Sequence, residues 1–343
     1  MRRLKILVWH VHGGYLSALT RTEHDWYVPI KRGCPPGYVG RGLTFDLPGE
    51  VREVPAEQVR DLRHLDLILC QSPKNYFEDQ PHILSAAQRA LPTIYLEHNA
   101  PRQHPTDTRH PIDDPNVLLV HVTRFNRLMW DSGATPTVVI EHSVAVDPDA
   151  VYRGRIAQGI TLVNHIQRRA RLAGFDLFQR ARQALPIEAV GMGTSELGGL
   201  GDIPYRDLHR LMAEYRFLFS PMRYSSMPLS VVEAMTLGMP VVALATTDMP
   251  SLIQNGVNGY LSCDIEELIE RMRTLLTDPA LAQRLGHNAR AVAQERFGLE
   301  RFIREWNDAF ELALSLHPGT ASHDVRPRAR ADVSRPARMD TTP

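Results

Sequence analysis

The stretch Phe217 to Ala243, FLFSPMRYSSMPLSVVEAMTLGMPVVA, decides the fold class. Its opening run, Phe217-Leu218-Phe219-Ser220, is short and apolar and stops at Pro221, as a buried parallel strand does before a loop. From Ser230 to Leu237 the apolar residues Val231, Val232, Ala234, Met235 and Leu237 predict a buried helix that Gly238 ends, with Pro240 following as a stop signal. Val241-Val242-Ala243-Leu244 begins the next strand. In such a unit the helix N-terminus sits at the carboxyl edge of a parallel sheet, where free backbone N–H groups and the helix dipole attract phosphate. This reading puts Glu233 in the first helical turn. A carboxylate there either stabilises the helix end by ~0.3–1 kcal/mol or accepts the two hydroxyls of a ribose.

Strands and helices alternate through the rest of the chain as well, which predicts a second parallel sheet. Leu4 to Trp9 reads as a first strand that leaves through His10-Val11-His12-Gly13-Gly14-Tyr15, where the glycines let backbone pass close to a ligand. Leu65–Leu69, Thr93–Leu96, Val117–Val120 and Val138–Ile140 are further strands, ending at Cys70-Gln71-Ser72, Glu97-His98-Asn99, His121-Val122-Thr123 and Glu141-His142-Ser143. Each delivers polar residues to one edge. Later in the chain Ile160–Val163 is another strand, and a helix starts at Gly174-Phe175-Asp176. Gly201 to Pro204 reads as a short strand before a helix from Arg206 to Tyr215. Phe302, Trp306, Phe310 and Leu314 recur every fourth residue, making Leu299–Leu316 an amphipathic helix. The expected class is α/β, with two Rossmann-like domains whose parallel sheets face a central cleft. The expected bounds are 1–150, 155–298, a helix over 299–316 that crosses back to the first domain, and a disordered Pro/Arg-rich tail over 317–343.

The second half resembles the retaining glycosyltransferases of the GT-B fold, family 4 in particular (glycosyl transferases group 1). Their signature is a Glu, seven residues, a Glu, then Ala-Met and Gly-x-Pro-Val-Val. Glu233-Ala234-Met235, Gly238 and Pro240-Val241-Val242 match its second half, while Ser225 stands eight positions before Glu233 in place of the first glutamate. The resemblance implies that Glu233 holds the ribose of a nucleotide-sugar donor. It makes Ser225 and the loop Ser226-Met227-Pro228-Leu229 donor-side residues, with Ser225 and His98 the catalytic candidates. Val190-Gly191-Met192-Gly193 resembles a family segment for which Gly191 is the base contact, a strand-ending turn being the plainer alternative. Leu252-Ile253, Gly256 and Gly259 match a further family segment, with Ser251 replacing a glutamate; Thr246, Thr247 and Asp248 lie in the loop before it. Gly13-Gly14 match the family's first loop.

Two family cations that clamp the diphosphate have no direct counterparts, because Asn164-His165 and Ala173 occupy their places. Arg168, Arg169 and Arg171, alongside His165, are the substitutes, since guanidinium forks pair with phosphate oxygens at two points. A solvated basic face is the alternative reading. Fifteen histidines are many, and His12, His98, His121 and His142 fall at strand ends that face the expected cleft. His12, Asn99, Arg102 and His142 are acceptor-side candidates. The proline-rich segment Asn99–Asp114 either lines that side or only connects.

Other chemistries fit poorly. The histidines lack zinc-site spacing, the cysteines Cys34, Cys70 and Cys263 form no CxxC, and no Asp-x-Asp stands at a strand end, so neither a metal nor another cofactor is expected. The 39 basic and 39 acidic residues cancel, which argues against a general nucleic-acid surface. No apolar run approaches the roughly twenty residues of a membrane span. A cytoplasmic protein, with peripheral contact at the inner face of the membrane, is expected. The implied activity is transfer of a hexosyl or related group (EC 2.4) from a nucleotide-diphosphate sugar to a hydroxyl on a glycan, lipid-linked or small-molecule acceptor, retaining and metal-independent, in cell-surface polysaccharide or lipopolysaccharide synthesis. Two rival readings are a non-catalytic nucleotide-sugar-binding protein and another GT-B enzyme, such as a nucleotide-sugar epimerase or a phosphorylase.

Overall fold

The computed structural model describes residues 2–317. The tail expected to be disordered lies, from residue 318 onward, outside the described residues.

Two wholly parallel sheets form, as the alternation of strands and helices predicts. The first contains β1 (Lys5–Val8), β2 (Asp25–Ile30), β3 (Val51–Pro55), β4 (Leu67–Cys70), β5 (Thr93–Glu97), β6 (Val117–His121) and β7 (Thr137–Val139), in the order 3-2-1-4-5-6-7. The second contains β8 (Ile156–Leu162), β9 (Ile187–Val190), β10 (Tyr215–Ser220), β11 (Val241–Leu244) and β12 (Gly259–Ser262), in the order 12-11-10-8-9. Helices α1 (Gly13–Leu19), α2 (Gln80–Ile83), α3 (Ala86–Arg89) and α4 (Arg124–Met129) accompany the first sheet. With the second go α5 (Phe175–Ala184), α6 (Tyr205–Glu214), α7 (Leu229–Leu237), α8 (Ile265–Thr277) and α9 (Pro279–Phe297). Gly201 makes only an isolated bridge to Val190, so the short strand expected before α6 is absent. Among the described residues no helix is long and apolar enough to cross a membrane.

The central strands are buried on both faces and read as continuous apolar runs, which is the mark of a parallel sheet covered by helices on both sides. Helix α7 ends at Gly238, whose φ of 90° lies in the left-handed region. There the chain turns sharply under α9, and a Cβ on Gly286 of α9 would stand only 1.9 Å from the Gly238 carbonyl oxygen. That pair of backbones therefore sets how closely α9 covers α7.

The last helix, α10 (Leu299–Leu316), follows the second-domain helices in sequence but packs in the first domain. Its Phe302, Trp306 and Phe310 join Leu4, Ile6, Val8, Trp26 and Leu118 in one core. Trp306 is fully buried and its Nε1 donates to Tyr15 Oη at 3.2 Å. Trp306→Ala should lower stability by roughly 3–5 kcal/mol, against under about 0.5 kcal/mol for Leu312→Ala on the exposed face. Urea unfolding followed by circular dichroism reads both.

Candidate functional site

Helix α7 starts at Leu229, with Pro228 as its extended N-cap residue. Glu233 is thus the fifth helical residue, beyond the first turn, which holds no acidic side chain. The expectation that it complements the helix dipole is corrected by this register. The carboxylate is held from behind instead. Only 5% exposed, it accepts the Tyr205 hydroxyl on Oε1 at 2.9 Å, and His209 Nε2 stands 3.8 Å from the same oxygen. His209 Nδ1 accepts the Asp147 N–H at 3.1 Å, so the neutral ring carries its proton on Nε2, toward the carboxylate. Burial and the neighbouring Glu233 push the Tyr205 phenol up, keeping it a donor. Among the described residues Glu233 Oε2 makes no hydrogen bond, and Glu233 lines a cleft.

That cleft, of about 1340 Å³, runs between the two domains. One wall is His12, Gly13, Gly14 and Phe45; the other is Gly191, Tyr205, Leu229, Ser230 and Glu233. Gly14 lies close to the opposite domain, where a Cβ would stand 3.2 Å from Leu229 Cδ1. Among the described residues the N–H groups of Leu229 and Ser230 have no acceptor, and both residues line the cleft at the uncapped end of α7. A smaller cavity of about 190 Å³, which also has Asn164 and Ser230 in its wall, is lined further by Arg169, Ser220, Ser225 and Pro228.

The structure separates the three candidate arginines. Arg169 is half-buried and lines the smaller cavity, and its guanidinium has no hydrogen-bond or ion-pair partner among the described residues. Its pKa is lowered, first by burial and then by the charges of Arg102 and Arg168. Arg168 is exposed, and Arg171 pairs with Asp176 at 3.0 Å. Neither lines either cavity, nor does His165, whose N–H is spent on Met192 O at 2.7 Å. Ser226 and Met227, expected at the donor, also sit elsewhere. Ser226 is buried at the domain seam, where Asn126 Nδ2 donates to its Oγ at 2.8 Å and Oγ donates to His98 O. Met227 is buried in the second-domain core.

Three of the four strand-end histidines converge around Tyr15. The His12 and His98 rings have centroids 4.0 Å apart, and Tyr15 meets His98 and His142 edge-on at 5.0 and 5.5 Å. His98 Nε2 faces Gln71 Oε1 at 2.9 Å, while the Gln71 amide donates to Trp9 O. The ring therefore carries its proton on Nε2 and leaves Nδ1 as an acceptor. Burial lowers the pKa of all three, His142 to about 4, and their mutual repulsion holds His98 down further. Of the three, His12 lines the cleft. His121 does not join them, which corrects its expected place: fully buried, it packs near His110 and is pushed to about 3. Asn99 Oδ1 accepts exposed Arg102, and the Asn99–Asp114 loop forms no helix or strand.

Further polar links cross the seam. Tyr224 Oη donates to Pro101 O at 2.8 Å, the Phe125 N–H donates to Asp248 Oδ1 at 3.3 Å, and Arg296 Nε donates to Glu141 Oε2 at 3.0 Å. Thr246 Oγ1 donates to Met222 O within the second domain. Among the described residues no group of three or more His, Cys, Asp or Glu is placed to hold a metal ion.

Two parallel-sheet domains facing a cleft lined from both sides constitute the GT-B fold. Residues 195–292, which include Glu233 and the end of α7, match the family described as glycosyl transferases group 1. An uncharacterized glycosyltransferase of Haemophilus influenzae is 31% identical over 90 residues, 25% of each chain. The poly(ribitol-phosphate) alpha-N-acetylglucosaminyltransferase of Staphylococcus aureus is 28% identical over 104 residues, 29% of this chain and 21% of the other. The matches thus span about a quarter of these relatives' length. Likeness of fold extends much further. The sucrose-phosphate synthase of Thermosynechococcus elongatus superposes over 91% of this chain and all of its own, with TM-score 0.66 and 14% identity. Anabaena HepE, solved in complex with UDP, superposes over 91% of this chain and all of its own, with TM-score 0.62 and 15% identity.

The buried histidines make acid stability a direct readout. His142 binds its proton in the folded chain only near pH 4, whereas the unfolded chain takes one up near its ordinary 6.5. Stability is therefore full above about pH 6.5 and falls as pH drops toward 4, by roughly 3 kcal/mol for this residue. His142→Gln should flatten that part of the profile, measured by urea unfolding at steps between pH 7 and 4.5.

Proposed function

We propose that this chain is a glycosyltransferase that moves a sugar from a nucleotide-diphosphate sugar to an acceptor hydroxyl, with retention at the anomeric carbon and without a metal ion. The observation that carries the reading is the placement of Glu233. It is a carboxylate clamped on one oxygen by Tyr205 and turned toward the inter-domain cleft with the other, behind a helix N-terminus whose first N–H groups are free. Those are complementary to a ribose and to the phosphates attached to it. The match over residues 195–292 and the UDP named in the HepE complex support the same donor class.

In this reading Glu233 holds the ribose hydroxyls and Gly191 lies along the base. The diphosphate rests between the Leu229 and Ser230 N–H groups and Arg169, with Ser225 on the sugar side. The bond that breaks joins the sugar to the diphosphate, so negative charge grows on the phosphate oxygen as the transition state forms. Arg169 and the helix end are fixed in advance where that charge appears. His12, neutral at physiological pH, is the acceptor-side residue of the wall, with His98 and Tyr15 packed behind it, and the closed domains keep water from the sugar. A cytoplasmic enzyme acting at the inner face of the membrane in cell-surface polysaccharide synthesis is the setting we propose.

A second reading is favoured by one feature, the lining of the smaller cavity, which contains Ser225 and no carboxylate. A protein that binds the donor without turning it over would have this composition. Incubation with UDP-, GDP-, ADP- and dTDP-sugars in the presence of a chelator separates the two. The transferase raises the melting temperature with one donor and releases free nucleotide, whereas the binding protein raises it and leaves the donor intact. No shift with any of them overturns both. Glu233→Gln should weaken the effective donor by about 1.5–3 kcal/mol, the range for a hydrogen bond to a charged group, read by calorimetric titration.

A further inference from the structure

The loop between β2 and β3 carries an aromatic side chain into the cleft, and polar contacts hold its root. His10 Nδ1 donates to Gly40 O at 2.8 Å, and the Arg41 N–H donates to Glu53 Oε1 at 2.7 Å. The Arg41 guanidinium donates to the carbonyls of Pro48 and Val51 at 2.8 and 2.7 Å. Beyond the tip, Ser17 Oγ of α1 donates to Asp46 O at 3.1 Å, and Leu47 is buried in the first-domain core. Phe45 stands between these anchors, yet its ring joins none of the apolar cores among the described residues. The ring lies instead against the backbone of Gly13, where a Cβ would be 2.6 Å from Phe45 Cε2. On its other side it meets Tyr205 of the second domain, with centroids 4.5 Å apart and planes tilted by 54°.

We propose that Phe45 is the first-domain contact of the donor, a preset aromatic face on which the nucleobase stacks while Glu233 holds the ribose. The proposal rests on the donor reading above and adds a residue from the opposite wall. Phe45 lines the cleft and touches Tyr205, whose hydroxyl donates to Glu233 Oε1 at 2.9 Å, so one residue separates the ring from the ribose carboxylate. A base lying along Gly191 finds the backbone there already bonded. The Gly191 N–H donates to Gly201 O at 2.8 Å, and its carbonyl accepts the Thr194 N–H and hydroxyl at 3.1 and 2.9 Å. The Met192 N–H donates to Asn164 Oδ1 at 2.9 Å, and its carbonyl accepts the His165 N–H at 2.7 Å. With those in-plane groups occupied, the flat face of the base is what remains to be held. A phenyl ring offers no hydrogen bond to phosphate or hydroxyl and is complementary to that face. Stacking of this kind accepts any base, because every base has a π-face.

Calorimetric titration of the full chain with UDP, GDP, ADP and dTDP, and with inorganic pyrophosphate, tests this. Phe45→Ala should weaken the nucleoside diphosphates that bind the wild type by about tenfold and leave pyrophosphate within about twofold. Phe45→Trp should keep the nucleotide affinity, and the fluorescence of the added indole should change as nucleotide binds. Since Phe45 lies outside the cores, an unchanged melting temperature identifies a folded variant. The substitution also takes the ring away from Tyr205, so it is repeated in Glu233→Gln. There the loss persists if the base stacks on Phe45; its disappearance, which would mean that the ring only steadies Tyr205 and the carboxylate, overturns the proposal. Unchanged nucleotide affinity in Phe45→Ala overturns it too, as does an equal loss of pyrophosphate. The two readings fail separately. A wild type that binds no nucleoside diphosphate sinks both. Glu233→Gln weakening UDP while Phe45→Ala does not leaves the ribose contact without the stacking face, and the reverse result leaves the stacking face without the ribose contact.

Discussion

The site depends on one buried carboxylate. Glu233 stands among Val231, Val232, Ala234 and Met235, which are apolar and fully buried, so its charge is costly to place there unless it is hydrogen-bonded. The Tyr205 hydroxyl meets that need, with the His209 ring 3.8 Å from the same oxygen, and both belong to α6. Helix α6 must therefore lie against α7, and its own partners reach into the segment between the sheets. His209 accepts the Asp147 N–H, and the Tyr205 hydroxyl lies 3.3 Å from the Ala145 carbonyl oxygen. The support of one cleft-facing oxygen thus runs through two helices and the inter-domain connection. The Tyr205 ring also packs on Phe45 of the first domain, with centroids 4.5 Å apart, so the same residue touches both halves.

Around that point the topology does the gathering. In a parallel sheet every strand delivers its carboxyl end to the same edge, and two such sheets set edge to edge leave a crevice where loops from both can meet a ligand. His12 after β1 and Leu229 after β10 arrive in one cleft for this reason, despite their separation in sequence. The seam is fastened chiefly by polar contacts, among them Ser226 with Asn126 and Arg296 with Glu141. Interfaces of that composition permit relative domain motion more readily than large apolar ones do. The exception is α10, whose Phe302, Trp306 and Phe310 are buried in the first-domain core and anchor the end of the second domain there.

The unit at the centre of the sequence was legible because each of its signals is local: an apolar run, a proline, a second apolar run, then Gly238 and Pro240. Where the signals are weaker, elements are missed. Strands β2 and β3 left little trace, since Pro29 interrupts one and the polar Arg52-Glu53 pair fills the middle of the other. The helix register was off by enough to matter. Pro228 at the N-cap starts α7 at Leu229, and that single residue moves Glu233 out of the first turn and changes what supports it. The sorting of Arg168, Arg169 and Arg171 could not be read from a run of like residues. It follows from a loop that bends through positive φ at His165 and Ala170 and turns one guanidinium inward. His121 is the last residue of β6 and pairs with Glu97, whereas His98 lies one residue beyond β5, so strand alternation separates the two histidines, an offset that needs the exact strand ends.

The central claim is that a nucleotide diphosphate lies across the cleft with its ribose on Glu233 and its phosphates on the end of α7. A crystal structure of the chain soaked with UDP tests it most directly, with the other nucleoside diphosphates as parallel soaks. The account predicts density from Gly191 to Glu233, both ribose hydroxyls on the Glu233 carboxylate, and phosphates against the Leu229 and Ser230 N–H groups. Nucleotide found instead in the polar hollow of about 860 Å³ beside Arg3, Arg21 and His24, with the cleft empty, would contradict it.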